Sequence, residues 1–340
     1  MAINARAAVR AEIGGVERYA RELAARLPAL RPDRYLVLRP PRGMAHRAGH
    51  AWEQAVLPLR AAGCGLIYSP ANLAPVASRR NVVVIHDAAA LRHPEAYSAR
   101  YVTYQSRMLP VLARRARLVI TVSEFSRGEL VELLGARPER VAVVPGGVDE
   151  RFGAPEARAG AERVRGKLAL ERPYVLAVGT ASARKRLDLL APAARALAER
   201  GIELVLAGSD RGYLRGPQTS LRRLGYVEEA DLPALYAGAR ALVMASDYEG
   251  FGLPCLEAMA SGVPVVAAAA GALPETCGEA ALMFDAGDPR RLTGALLAAA
   301  GDETERARLI ARGLARARSF SWERTAVLTD GAITPLLRNR

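Results

Sequence analysis

Lysine is almost missing from this chain. Of its 48 basic side chains only Lys167 and Lys185 are lysines, and the rest are arginines. A GC-rich genome produces such an arginine- and alanine-heavy composition without any functional demand, which makes each remaining lysine informative. Cysteine is scarce as well. Cys64, Cys255 and Cys277 are an odd number without metal-ligand spacing, which argues against a disulfide framework and for reduced thiols. His46, His50, His86 and His93 form no zinc pattern either, so no metal site is expected. No apolar run reaches the roughly 18 uncharged residues of a membrane span. The first residues show no charged-then-apolar leader, and the expected location is cytoplasmic. Aromatic residues make up 5% and are not interleaved with basic ones, which argues against nucleic acid as a partner.

What remains is the composition of a folded protein: 51% hydrophobic and 24% charged over 340 residues, enough for two domains. The net charge is +13, with 22 basic and 13 acidic groups in residues 1–150 against 26 and 22 in residues 151–340. A basic first half attracts anions, either lipid headgroups or phosphorylated substrates. The cluster of Arg107, Arg114, Arg115 and Arg117, on a helix that also carries Tyr101, Tyr104, Met108 and Leu109, suggests peripheral attachment to an anionic membrane surface such as the inner membrane face.

Short β-branched runs alternate with alanine-, leucine- and arginine-rich segments of helical period, the signature of βαβ units and parallel sheets. Ala2–Asn4 reads as the end of a strand. Further strands are expected over Tyr35–Leu38, Gly65–Tyr68, Asn81–His86, Leu118–Val122 and Val141–Val144, then over Tyr174–Val178, Glu203–Ala207, Leu224–Tyr226, Ala241–Met244 and Pro264–Ala267. The expected fold class is α/β with two Rossmann-like domains: residues 1–150, a linker over 151–172, and a second domain over 173–318. The Pro145-Gly146-Gly147 turn opens that boundary.

One strand-to-helix corner carries much of the chemistry. In Ser246-Asp-Tyr-Glu-Gly-Phe-Gly-Leu-Pro-Cys-Leu-Glu257, Gly250, Phe251, Gly252 and Leu253 bring a glycine-rich backbone to the start of a helix, which favours phosphate. Glu249 and Glu257 stand on either side of that turn. Carboxylates suit sugar hydroxyls because each offers two acceptor oxygens. Acidic residues are also ordinary at helix starts, so the pair alone decides nothing. Gly179-Thr180 through Arg184-Lys185 follows another strand, and its two cations can neutralise a diphosphate. Tyr226 and Val227 lie at the end of a third strand and would set backbone groups beside a base. In the first half, Gly14-Gly15 opens a helix that can face a phosphate. His86 ends an apolar strand, where a hydrogen-bonded core histidine is the competing reading.

Glu-Gly-Phe-Gly-Leu-Pro through Glu257 resembles the signature of the retaining glycosyltransferases of the large GT-B family 4. So do, in the same order along the chain, Gly-Gly-Val-Glu-Arg-Tyr19, His86-Asp87, Val-Ser-Glu-Phe-Ser126, Val-Pro-Gly-Gly-Val-Asp149, Gly179-Thr180 with Arg184-Lys185, and Ala-Gly-Ala-Leu-Pro-Glu275. The likeness is to the mannosyltransferase branch. Gly146 where asparagine is commoner and Ala181–Ala183 before Arg184 depart from the pattern, in donor detail more than in class.

The resemblance implies GT-B architecture, with a C-terminal helical segment over 319–340 returning to the first domain. It implies transfer of a hexose from a nucleoside diphosphate sugar to a glycan or lipid-linked acceptor, with retention. The candidate site offers Arg184-Lys185 and no closely spaced aspartates, so neither cofactor nor metal is expected. His86, Glu249 and Lys185 are then the expected catalytic residues. Gly14, Gly15, Thr180, Arg184, Lys185, Tyr226, Val227, Gly250, Phe251, Gly252, Leu253 and Glu257 are the expected donor-binding ones. A nucleotide-sugar epimerase on the same fold and a non-catalytic nucleotide-binding protein are the competing readings.

Overall fold

The computed structural model describes residues 1–10, 12–41, 44, 49–209, 211–216 and 219–338. His46, expected to be free of metal, lies outside them.

The chain divides into two compact units. The first combines residues 1–92, 102–147 and 321–340 around a six-stranded parallel sheet. Its strands are β1 (Ala2–Asn4), β2 (Leu36–Leu38), β3 (Ile67–Ser69), β4 (Asn81–Val84), β5 (Leu118–Thr121) and β6 (Val141–Val143), in the order β2-β1-β3-β4-β5-β6. Val82, Val83 and Val84 are all fully buried, as a strand covered on both faces requires. Helices Ala99–Arg115 and Glu124–Leu134 cover one face through Leu109, Leu112, Leu130 and Leu134. The second of these helices is capped by Ser123, whose side chain accepts from the Ser126 amide at 3.0 Å, and it stops at Gly135, whose φ of 64° is left-handed.

The second unit comprises residues 93–101 and 148–320. Its strands are β7 (Tyr174–Val178), β8 (Glu203–Ala207), β9 (Arg222–Gly225), β10 (Ala241–Met244), β11 (Val265–Ala268) and β12 (Leu282–Phe284), in the order β12-β11-β10-β7-β8-β9. All pairings are parallel, so every strand delivers its following loop to one edge. Side chains alternate between two cores. Leu176, Leu242 and Val265 face helix Leu253–Ala260, while Val175, Val243 and Val266 face helices Leu190–Ala198 and Pro289–Gly301.

Several expectations change. Residues 151–172, expected as a linker, form helices Pro155–Ala159 and Ala161–Lys167, and their Ala157, Ala161 and Val164 are buried. Residues 93–101, expected in the first domain, belong to the second unit. The Ser98 amide donates to the Tyr213 carbonyl at 2.7 Å, the Arg215 amide to Ala96 at 2.8 Å, and Tyr101 stacks against Tyr97 and Tyr213. Strand β12 and helix Glu303–Ala317 were not anticipated. The first is three residues at a sheet edge, and the second is so arginine-rich that its buried Leu309, Gly313 and Ala317 give a faint stripe. Helix Trp322–Arg338 belongs to the first unit, where Asp330 accepts from Tyr35 at 2.7 Å and Arg34 at 2.6 Å. Among the described residues no helix is long and apolar enough to cross a membrane.

Candidate active site

The loops after β7 and β10 meet at the carboxyl edge of the second unit's sheet. Lys185 Nζ lies 2.5 Å from Glu249 Oε1, and Arg184 Nη1 lies 3.2 Å from the same oxygen. Arg184 Nη1 also donates to the Tyr248 carbonyl at 2.8 Å. The Lys185 side chain is only 13% exposed and that of Glu249 11%, so both charges sit largely out of water. Burial works to raise the Glu249 carboxyl, but Lys185 and Arg184 outweigh it and hold it at about 2. Burial draws Lys185 below the usual lysine range while Glu249 opposes that shift. Since Glu249 is firmly ionised, the contact is an ion pair with lysine as the softer member. Such an arrangement presents two cations beside a carboxylate at the mouth of the sheet, where ligands of open α/β folds bind.

Glycines make the close approach of the loops after β10 and β11 feasible. Gly252, the residue before helix Leu253–Ala260, has φ of 96°, and a Cβ there would fall 2.7 Å from Leu273 Cδ2. Gly271 has φ of 56°, and its Cβ would fall 2.7 Å from both the amide nitrogen and the carbonyl oxygen of Glu249. The Ala272 amide donates to that carbonyl at 2.9 Å. Gly250 is buried, and the Phe251 carbonyl accepts from Thr276 Oγ1 at 2.5 Å while its ring meets Phe320 edge-on. Leu253 is the first helical residue and Pro254 the second.

The other expected donor-binding residues of this unit line the same edge. Glu257 is buried in helix Leu253–Ala260, and its Oε2 accepts from the Tyr236 hydroxyl at 2.8 Å. Thr180 is half-buried, and with Gly179, Lys185 and Ser246 it lines a small hollow between the ends of β7 and β10. Tyr226 is 38% exposed just after β9, whereas the Val227 side chain turns into the core, so only its backbone remains for a ligand.

The first unit holds its candidates differently. His86 follows β4 and is buried, with its amide donating to Asn72 Oδ1 at 2.8 Å and Nε2 at 3.1 Å from the Pro70 carbonyl. A carbonyl can only accept, so Nε2 carries the proton and Nδ1 is the acceptor nitrogen. Burial lowers the imidazole pKa, against the Pro70 carbonyl, Asp87 and Glu17. Its ring packs edge-on to Tyr19 at 4.9 Å, and Tyr19 packs edge-on to Trp322 at 5.7 Å. Tyr19 lies on helix Gly15–Leu30, whose start is fixed by the Gly14 amide donating to Glu17 Oε2 at 3.1 Å. A Cβ at Gly15 would meet nothing within 4 Å, so folding alone does not explain the glycine.

Sequence reasoning missed several residues here. Arg186 and Asp247 flank the Lys185–Glu249 pair and are joined at 2.9 Å. Tyr236, on helix Leu232–Ala237, carries no signal in the sequence as the partner of Glu257. Ser182 Oγ is buried without a hydrogen-bond partner among the described residues. The basic cluster on helix Ala99–Arg115 is smaller than expected. Arg114 Nε donates to the Leu134 carbonyl at 3.2 Å, Leu109 is in the core, and Tyr101 belongs to the second unit's tyrosine stack.

Residues 172–302 match the family described as glycosyl transferases group 1, and residues 66–152 match glycosyltransferase family 4. The chain is 34% identical over 281 residues to O-antigen chain mannosyltransferase B of Escherichia coli, covering 78% of this chain and 73% of that protein. It is 35% identical to MMP alpha-(1->4)-mannosyltransferase of Mycolicibacterium hassiacum over 64% of this chain and 54% of the relative. With D-inositol 3-phosphate glycosyltransferase of Thermomonospora curvata it shares 34% identity over 63% and 56%. It thus spans about half the length of these last two. Among solved structures, sucrose-phosphate synthase from Thermosynechococcus elongatus superposes with a TM-score of 0.76 at 20% identity, over 100% of this chain and 99% of that one. Anabaena Alr3699/HepE in complex with UDP-glucose gives 0.72 at 21%, over 99% of both. At these identities the structural likeness concerns the fold.

Proposed function

Because the chain belongs to the family 4, group 1 glycosyltransferases and has their GT-B fold, we infer that it moves a mannose-like hexose from a nucleoside diphosphate sugar to a hydroxyl of a glycan or lipid-linked acceptor, with retention. The observation that carries this reading is the Glu249 carboxylate held between Lys185 and Arg184 beside the glycine-rich start of helix Leu253–Ala260. Two relatives bearing mannosyltransferase names favour the hexose.

In the reaction, the bond from the anomeric carbon to the diphosphate oxygen breaks and one to the acceptor oxygen forms, the acceptor proton passing to the departing diphosphate. The leaving group gains charge as it goes. Lys185, Arg184 and the helix N-terminus supply the opposing charge, so no divalent metal is required. Glu249, already strongly ionised and shared by two cations, is a poor nucleophile and a good acceptor for sugar hydroxyls. This favours attack on the same face from which the diphosphate leaves. Glu257 takes the ribose diol, and the backbone at Tyr226 and Val227 lies beside the base. In the first unit, His86 is assigned to the transferred sugar and Gly14-Gly15 to a phosphate.

The deciding experiment is incubation of the purified chain with nucleoside diphosphate sugars, with and without glycan and lipid-linked acceptors, in excess chelator. Acceptor-dependent release of nucleoside diphosphate is expected. Conversion of the donor sugar without acceptor would indicate an epimerase, and binding without release a non-catalytic protein. Activity abolished by chelator and restored by magnesium or manganese would overturn the metal-free step. Within the active enzyme, Glu257→Ala should weaken nucleotide binding, while Glu249→Ala should lower turnover and leave free nucleoside diphosphate bound. Equal losses of nucleotide affinity in both variants would overturn that division.

A further inference from the structure

Lys185 and Glu249 come from loops 64 positions apart, and their contact depends on how those loops are fastened. Three further links surround it. The Asp247 amide donates to the Arg184 carbonyl at 2.9 Å, Arg184 donates to the Tyr248 carbonyl at 2.8 Å, and Arg186 Nη1 donates to Asp247 Oδ2 at 2.9 Å. Arg186 is also one of three described non-glycine residues with positive φ, here 46°. A left-handed conformation is unfavourable for an arginine, and a residue in that state at a site persists only when its surroundings hold it there. Two carboxylates do so: Asp247 on the facing loop and Asp188, two residues on, at 3.2 Å. The left-handed turn ends the short 3-10 segment Ala183–Lys185 and fixes the direction from which the lysine leaves the backbone.

We propose that Arg186 and Asp247 are positioning residues whose ion pair locks the β7 and β10 loops in the register that sets Lys185 against Glu249. The role rests on the reading of Lys185 as the cation for the leaving diphosphate and Glu249 as the carboxylate for the sugar. An isolated exposed ion pair would contribute little. This one differs because both partners are adjacent in sequence to a functional group or two residues from it, so a slip of either loop moves the site directly. A misplacement of about 1 Å at reacting groups can cost on the order of a hundredfold in rate.

The scarcity of lysine gives a test that does not depend on activity. Lys185 and Lys167 are the only lysines, and their side chains are 13% and 48% exposed. Reaction with an amine-selective acylating reagent, read by peptide mass spectrometry, reports the Lys185 environment with Lys167 as internal standard. In the parent, Lys185 should react much more slowly than Lys167. Arg186→Gly, which accepts the left-handed backbone, and Asp247→Asn should each raise the Lys185 to Lys167 ratio severalfold. Their kcat should fall roughly tenfold to a hundredfold with a smaller change in donor KM, and the double variant should be no slower than the worse single one. Protection of Lys185 equal to the parent in both variants, or rate losses that multiply in the double variant, would overturn the proposal. Should Arg186→Gly fail to fold, Asp247→Asn decides. A parent without transferase activity would remove the functional reading alone, because the labelling ratio still tests the clamp.

Discussion

Glu249 in the second unit lies within 3.2 Å of two cations, whereas His86 in the first unit has a carbonyl and the edge of a tyrosine ring. Both are buried, yet burial has opposite consequences. Around Glu249 the neighbouring charges overcome desolvation and keep the carboxyl ionised. Around His86 desolvation prevails and the imidazole is kept neutral. The difference follows from what each loop can bring. The second unit sets a charged loop against a charged loop, and the first sets a histidine against a carbonyl and one tyrosine ring, with the charges of Asp87 and Glu17 too weak to offset burial. Under the proposed function, the first arrangement suits a ligand whose charge changes and the second a neutral hydrogen-bonding one.

The largest effect that separates the two regions should come from Lys185→Ala. Losing one such electrostatic contact costs roughly 3 kcal/mol of barrier, on the order of a hundredfold in kcat. A variant as fast as the parent would remove Lys185 from the site.

Acid titration of stability sharpens the contrast next. The Glu249 carboxyl is held at about 2 against an ordinary 4.5. A folded-state pKa below the unfolded one stabilises the fold above the unfolded value. That contribution, about 3 kcal/mol, is lost as pH falls from 4.5 towards 2. Glu249→Gln should flatten this limb of the denaturation curve. Burial also depresses His86, so its contribution is present above pH 6.5 and is lost as pH falls from there through its folded value. An unchanged acid limb in Glu249→Gln would show that the charge cluster does not stabilise the fold.

Two glycine substitutions test the units against each other. Gly271→Ala meets both a left-handed φ and the Glu249 backbone, so it should cost about 1–3 kcal/mol of stability and reduce turnover. Gly15→Ala meets nothing and should leave thermal unfolding within about 1 kcal/mol of the parent. If Gly15 faces a phosphate, the same change should weaken nucleoside diphosphate binding, and equal binding would detach Gly15 from the donor.

The smallest effect concerns membranes. With Arg114 engaged at the end of helix Glu124–Leu134, the remaining Arg107, Arg115 and Arg117 would contribute about 1 kcal/mol each at an anionic surface. Sedimentation with anionic and neutral vesicles checks this, and equal binding to both would remove the membrane from the account.

The strand pattern was legible because a parallel sheet covered on both faces needs unbroken apolar runs, and Val82–Val84 and Tyr174–Val178 are such runs. That the residues expected to bind the donor in the second unit share one edge was legible because they follow those runs, and parallel pairing carries every such loop to one edge. Strand β12 was not, since three half-buried edge residues look like any loop. Nor was the transfer of residues 93–101 to the second unit, which depends on hydrogen bonds to residues more than 110 positions later.

By itself, the order of apolar runs and glycine-rich corners determined two parallel sheets and the set of polar residues at their edges, because burial and backbone freedom are local demands. Only tertiary structure decided which of those residues touch. That Glu249 is paired and firmly ionised, that Glu257 meets Tyr236, that Val227 gives its side chain to the core and that Arg186 is pinned in a left-handed turn all depend on partners far away in sequence. Charge states and loop registers are set by distances of a few ångströms between separate segments, and no pattern within one segment encodes them.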